Sequence, residues 1–192
     1  MHSTRWFSLM TIASFVALAL AIQSLAAPFV LFPKAGRLLS PNGRFEVRDA
    51  DRPGSASDFV GEFHSLWLTD LSNGASRKIC DYMGVAAVAW SSNDFLLVTQ
   101  YVGKKTSRAL VIGAVGAQDP VLFDKPRLIQ LLPVELRDIL RGNDHVFIEA
   151  SRLENDTFYF RVWGYGQHDP SGFRWNCRSS LQEDNVTCAS TN

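Results

Sequence analysis

Along most of the chain, apolar and polar residues alternate with a period of two, in short runs that stop at Gly, Pro, Asn or Asp. Such alternation turns one side of an extended strand to a core and the other to water. It is clearest between positions 40 and 100. Phe45 and Val47 alternate with Arg44, Glu46 and Arg48, which predicts a strand over 43–50 with its apolar face inward and its charged face outward. Segments 59–71 and 76–80 flank Asn73-Gly74. Asn-Gly between two extended runs predicts a hairpin closed by a two-residue type I′ turn, which needs positive φ at both central residues. Segments 85–90 and 95–102 predict a second hairpin around Ser91-Ser92-Asn93-Asp94.

The same pattern continues. Residues 29–32 predict a first strand ahead of Pro33, and 108–115 is apolar enough to be a central strand. A short edge segment at 121–123 follows. Three further strands are predicted at 146–152, 157–164 and 172–178, with turns at Asn155-Asp156 and at His168-Asp169-Pro170-Ser171-Gly172. Residues 186–189 return as a short strand, and 49–58 reads as a loop around Pro53-Gly54. One stretch breaks the period. Near 133–141, Val134, Leu136, Ile139 and Leu140 share one helical face, while Glu135, Arg137, Asp138 and Arg141 share the other. Pro133 suits the first turn of such a helix and Gly142 its stop. The predicted fold class is all-β, made of antiparallel hairpins with this one short helix.

Composition supports the reading. The chain has 13 Phe and 5 Trp, and beyond the N-terminal segment Phe, Trp, Tyr, Val and Thr cluster in short runs between turn residues, which argues for strands. The 192 residues carry 19 basic and 19 acidic side chains, and no basic stripe argues for nucleic acid. The N-terminus has a different character. Arg5 precedes an almost unbroken apolar run over 7–22, and Ser24-Leu25-Ala26 places small residues for cleavage after Ala26, with Ala27 as the alternative. This predicts an export signal over 1–26 and a single mature domain over 27–192; an uncleaved N-terminal anchor is the alternative. No cysteine near the cleavage point offers a lipid anchor. The expected location is the periplasm or the extracellular space. Loss of the segment removes Arg5 and no acid, so the mature chain stays near neutral.

In an exported chain the cysteines bear on structure. Cys177 and Cys188 flank a polar loop near the C-terminus, which predicts a hairpin clamped by a disulfide. Cys80 is left over. Its expected role is a small buried hydrophobe at a strand end; a bond to another chain, or exchange with Cys177 or Cys188, is the alternative.

Two stretches look alike. Ser40-Pro41-Asn42-Gly43-Arg44, followed by Leu66-Trp67-Leu68-Thr69-Asp70-Leu71-Ser72-Asn73-Gly74, resembles a blade of the TolB-type or WD40-like β-propeller repeats. Val88-Ala89-Trp90-Ser91-Ser92-Asn93-Asp94-Phe95 resembles the start of the next blade, with Ser92 and Asp94 where Pro and Gly usually stand. A fainter echo runs from Ile148 through Phe160. The resemblance covers about 60 residues. At roughly 40–50 residues per blade the mature length makes about three to four blades. It implies a partial or small propeller, with an open blade stack, a β-sandwich of blade-like hairpins, or closure through a second chain as the other arrangements. Functionally it implies a binding scaffold rather than a catalyst.

Candidate chemistry is sparse. His64, His145 and His168 have no metal-ligand spacing, and no cofactor or metal is expected. Asp144-His145 fits a turn residue followed by a strand-entry histidine. Neither a nucleophile elbow nor a phosphate-binding loop occurs; Gly113-Ala114-Val115-Gly116 lacks the third glycine. Trp67, Trp90, Trp163 and Trp175 fall at strand positions and are expected in the core. Asn155-Asp156-Thr157 and Asn185-Val186-Thr187 match the glycosylation sequon. The most unusual loop is Gly164-Tyr165-Gly166-Gln167-His168-Asp169. From it come the candidate binding residues Tyr165, His168 and Asp169, while no residue is assigned a catalytic role. The expectation is a non-catalytic exported binding module whose partner is another protein or a second copy of itself. It makes no contact with nucleic acid, and none with membrane beyond the export signal. A secreted hydrolase or hydrolase inhibitor using the 164–169 loop is the alternative.

Overall fold

A computed structural model describes residues 28–51, 63–116, 119–166 and 170–191. The predicted export signal over 1–26, most of the 49–58 loop, and the candidates His168 and Asp169 lie outside the described residues.

The chain is all-β, as the alternation predicts, and among the described residues its sheets do not close into a barrel. After β1 (Val30–Phe32), three antiparallel four-stranded meanders follow in order. The first is β2 (Arg37–Leu39), β3 (Phe45–Asp51), β4 (Phe63–Asp70) and β5 (Ala75–Met83). The second is β6 (Ala86–Trp90), β7 (Phe95–Val102), β8 (Thr106–Gly113) and β9 (Val121–Phe123), with β1 paired to the outside of β6. The third is β10 (His145–Glu154), β11 (Thr157–Tyr165), β12 (Phe173–Ser180) and β13 (Thr187–Ser190). Helices α1 (Lys125–Leu131) and α2 (Val134–Gly142) bridge the second and third meanders.

Strands β7 and β8 are apolar on both faces, and this builds two cores. Leu96, Val98, Leu110 and Ile112 pack with Phe45, Val47, Leu66 and Leu68 of the first meander. Leu97, Ala109 and Val111 face the other way, onto Val146, Ile148, Phe158, Phe160 and Val162 of the third. Strand β10 lies across this second face. It touches β8 in parallel through Val146 and Thr106, and two buried hydroxyls bond its outer edge. Ser107 Oγ accepts from Ile148 N at 2.8 Å and donates to Ile148 O at 3.0 Å, and Thr99 Oγ1 accepts from Ala150 N at 2.9 Å. Side-chain oxygens thus satisfy amides that a neighbouring strand would otherwise take.

Several local expectations are corrected. The β4–β5 hairpin is a four-residue loop, Leu71 to Gly74, in which only Gly74 has positive φ. Asp70 Oδ1 accepts from Ser72 N at 2.9 Å and from its hydroxyl at 2.6 Å, and this capture opens the turn. The two-residue turn with both φ positive falls at Asn155-Asp156 instead. Glu46 points away from Phe45 as predicted, yet it is buried, paired with Arg48 Nε at 2.5 Å beneath the Arg48 and Arg37 side chains.

The single helix near 133–141 is one of two. Helix α1 begins at Asp124, whose carboxylate accepts from Arg127 N at 2.9 Å, with Pro126 in the first turn. In α2, Pro133 occupies the N-cap, and Val134 and Ile139 are exposed rather than inward. The stop is Asn143, not Gly142: Asn143 Nδ2 donates to Ile139 O at 2.8 Å.

Cys177 and Cys188 face each other across β12 and β13 and are joined by a disulfide. Cys80 is an unpaired buried residue, as expected of a small hydrophobe, but it lies within β5 rather than at its end, because the strand runs on to Met83. Of the four strand tryptophans, Trp90 and Trp175 are in the core; Trp67 is exposed and Trp163 half-buried.

Candidate functional site

The third meander has two unlike faces. Along β11, Phe158, Phe160 and Val162 point into the core, while Tyr159, Arg161, Trp163 and Tyr165 point outward. On β12, Trp175 and Cys177 are buried, and Arg174, Asn176 and Arg178 are exposed. The register joins the outward residues into rows: Arg152, Tyr159, Arg178 and Thr187, then Glu149, Arg161, Asn176 and Ala189, then Phe147, Trp163 and Arg174.

One open depression lies on this face and a second adjoins its end. The first, of about 620 Å³, is lined by Arg152, Tyr159, Arg161, Asn176, Arg178 and Thr187. The next, of about 600 Å³, wraps the end of β11 and β12 toward α2, with Trp163, Tyr165 and Arg174 on the outer side and Phe173, Trp175, Ser190 and Ile139 on the core side. The four arginines differ in their commitments. Arg161 pairs with Glu149 at 3.0 Å, and Arg152 pairs with Glu154 at 2.8 Å while lying 3.9 Å over the Tyr159 ring. Arg174 and Arg178 have no acidic partner among the described residues. Tyr101 reaches Glu149 at 3.4 Å, and burial, then the Glu149 charge, push its phenol above the ordinary range.

Tyr165 lies at the end of this face and is 42% exposed. Its ring stacks on His145 at 4.4 Å between centroids, and Phe147 stacks on Trp163 at 4.2 Å. The neighbouring glycines have a packing reason. A Cβ on Gly164 would collide with the His145 carbonyl oxygen, and one on Gly166 would come within 2.9 Å of Asn143 Oδ1. Asp144-His145 occupies a strand entry as predicted. The exposed Asn155 and Asn185 leave both sequons on the surface.

The arginine rows were not singled out from sequence, although the period-two spacing of Tyr159, Arg161 and Trp163, and of Arg174, Asn176 and Arg178, was the available signal. A second cluster was also missed. Asp49 on β3 accepts from Tyr82 Oη at 2.5 Å, and its other oxygen lies 3.1 Å from His64 Nδ1. The His64 and Tyr82 rings stack at 5.1 Å. One carboxylate anchors both rings at the end of the first core.

Among the described residues no group of three His, Cys, Asp or Glu could hold a metal ion, and no helix is long and apolar enough to cross a membrane. No protein-family model matches the chain, and no curated protein or solved structure is significantly similar to it.

Proposed function

We propose that this all-β chain is an exported binding module that acts through contacts on the outer face of its third meander rather than through catalysis. The observation that carries the reading is the pair of exposed arginines on β12, Arg174 and Arg178, set in open depressions without acidic partners among the described residues. Charged groups left uncommitted on a rigid strand are suited to meeting a partner of opposite sign. The Cys177–Cys188 disulfide fits an oxidising location, in keeping with the export signal expected over 1–26.

The relation to TolB-type or WD40-like blades is part of the same proposal. Three successive four-stranded meanders packed face to face support it. So do the equivalent turns of the first two. Phe45 N donates to Ser40 Oγ at 2.9 Å and Ser40 N to Phe45 O, while Phe95 N donates to Ser91 Oγ at 3.1 Å and Ser91 N to Phe95 O. For the hydrolase alternative, the described part of the 164–169 loop offers glycines whose role is close packing.

The test is site-specific photocrosslinking in the producing cell. A photoreactive residue at Asn176, on the proposed face, is expected to capture a partner, and one at Thr69, on the first meander, is not. Equal capture at both positions, or none at Asn176, overturns the reading.

A further inference from the structure

We infer that the ligand of this face is an acidic glycan, a polysaccharide bearing carboxylate or sulfate groups, lying along β11 and β12. The inference rests on the binding reading above and names its ligand class.

Length is the first argument. The two depressions are adjacent in register, since the Arg161–Asn176 row borders the Trp163–Arg174 row. From Tyr159 to Tyr165 the face runs about 20 Å at ~3.3 Å per residue. Arg174 and Arg178 stand about 13 Å apart on one strand by the same spacing. That layout suits an extended chain with repeated charges better than one compact anion.

Chemistry is the second. Arginine forks match carboxylate and sulfate oxygens with paired N–H donors. Beside the arginines the lining is amide and hydroxyl: Asn176 and Thr187. These groups pair with sugar hydroxyls. Tyr159, Trp163 and Tyr165 lie beside them, stacked on one side by Arg152, Phe147 and His145 respectively and still partly exposed, which suits the apolar faces of sugar rings. A stable protein interface has an apolar core surrounded by a polar rim. Here the order is reversed: the middle of the face is Arg161 and Asn176, with Tyr159 toward one end and Trp163 and Tyr165 toward the other. An acidic protein segment is therefore the less favoured partner.

The experiment is calorimetric titration of the purified full chain with four polymers: polygalacturonate, dextran sulfate, neutral dextran and polyglutamate. Polygalacturonate or dextran sulfate is expected to bind, more weakly as salt rises, and neutral dextran is not; the two acidic glycans separate a carboxylate from a sulfate source. The R174A/R178A variant should lose about tenfold or more in affinity, since two charge-assisted contacts are removed. R141A, an exposed arginine paired with Asp138 and outside the lining of both depressions, should bind as the parent does and serves as the folded control. Trp163→Ala should weaken glycan binding while leaving any polyglutamate affinity unchanged. Polyglutamate binding as tightly as either acidic glycan overturns the glycan assignment and leaves the binding face standing. If no polymer binds, the glycan assignment falls, and photocapture at Asn176 then decides the binding reading separately.

Discussion

Asn42 donates from Nδ2 to Asp94 Oδ2 across 2.7 Å, joining the β2–β3 turn to the β6–β7 turn. The two residues hold comparable places in successive meanders. Asp94 also sits at φ 57, a conformation that Asp and Asn tolerate better than most residues. Asn42 Oδ1 meanwhile accepts from Ser40 Oγ and Arg44 N, so the amide organises its own turn as well. Asn42→Asp keeps those acceptors and sets a carboxylate against Asp94. It is expected to cost about 1 kcal/mol, near the upper range for exposed charge pairs. Adding Asp94→Asn restores a donor facing a carboxylate and should recover most of the loss. Urea melts of the two single variants and the double variant check this; simple additivity would show that the turns are uncoupled.

Acid should act on the neighbouring hairpin. Arg44, bonded to Asp70 at 2.8 Å, and then Ser72 hold the Asp70 carboxyl well below the ordinary carboxylate range. A depressed folded pKa means that the contribution is present above the unfolded value and is lost as pH falls through the folded one. Asp70→Asn is therefore expected to melt lower than the parent at neutral pH. The gap should narrow as pH drops below the usual carboxylate pKa. A gap that stays constant with pH would assign the effect to the turn bonds alone.

The same hairpin shows where sequence reading stops. Period-two alternation gives strand existence directly, which is why β3, β11 and β12 were legible from the sequence, while β7 was legible as a short apolar run between turn residues. Turn length was not, because Asp70 competes for the Ser72 backbone through its side chain, and that contest depends on which residues pair across the strands. Helix α1 spans seven residues, too few for a helical period, and its signal was Asp124 two positions ahead of Pro126. The arginines of the third meander were legible as a parity. Their assembly into one face needed the β11–β12 register, and the partnering of Arg161 with Glu149 needed the β10–β11 register.

Ser107 and Thr99 hold the third meander to the second. Ser107→Ala would leave the Ile148 N–H and C=O buried without that partner, at a cost of about 1–3 kcal/mol. Thr99→Val keeps shape and strands the Ala150 amide, for a similar loss. Both changes should raise hydrogen exchange at Ile148 and Ala150 before they affect the β3–β4 pair. Exchange that rises equally in both meanders would mean that the layers unfold as one unit.

Burial pushes the Cys80 thiol up to about 12, from an ordinary value of 9.0. Such a group contributes its full stability below the unfolded value, and the contribution is lost as pH climbs toward 12. Cys80 should resist alkylation in the folded protein at mildly alkaline pH and react once the chain is unfolded in denaturant. Cys80→Ala should flatten the decline in stability above pH 9.0 relative to the parent. Fast alkylation of the native protein would contradict the buried placement.

The disulfide connects stability to the binding face. Cys177 and Cys188 bridge the core side of β12 and β13, while Arg178, Thr187 and Ala189 of the same strands line the outer depression. Among the described residues the short β13 pairs with β12 alone, so the covalent link is what keeps Thr187 and Ala189 in register when that edge frays. In the chain-entropy picture a bridge across 11 positions contributes about 2–3 kcal/mol. Reduction should lower the urea midpoint accordingly and raise hydrogen exchange in β13 first. It should also weaken polyanion binding under conditions where the other strands remain folded, because the depression loses one wall. A Cys177→Ala/Cys188→Ala variant that kept full affinity would confine the ligand to the arginines of β11 and β12 and remove β13 from the contact surface.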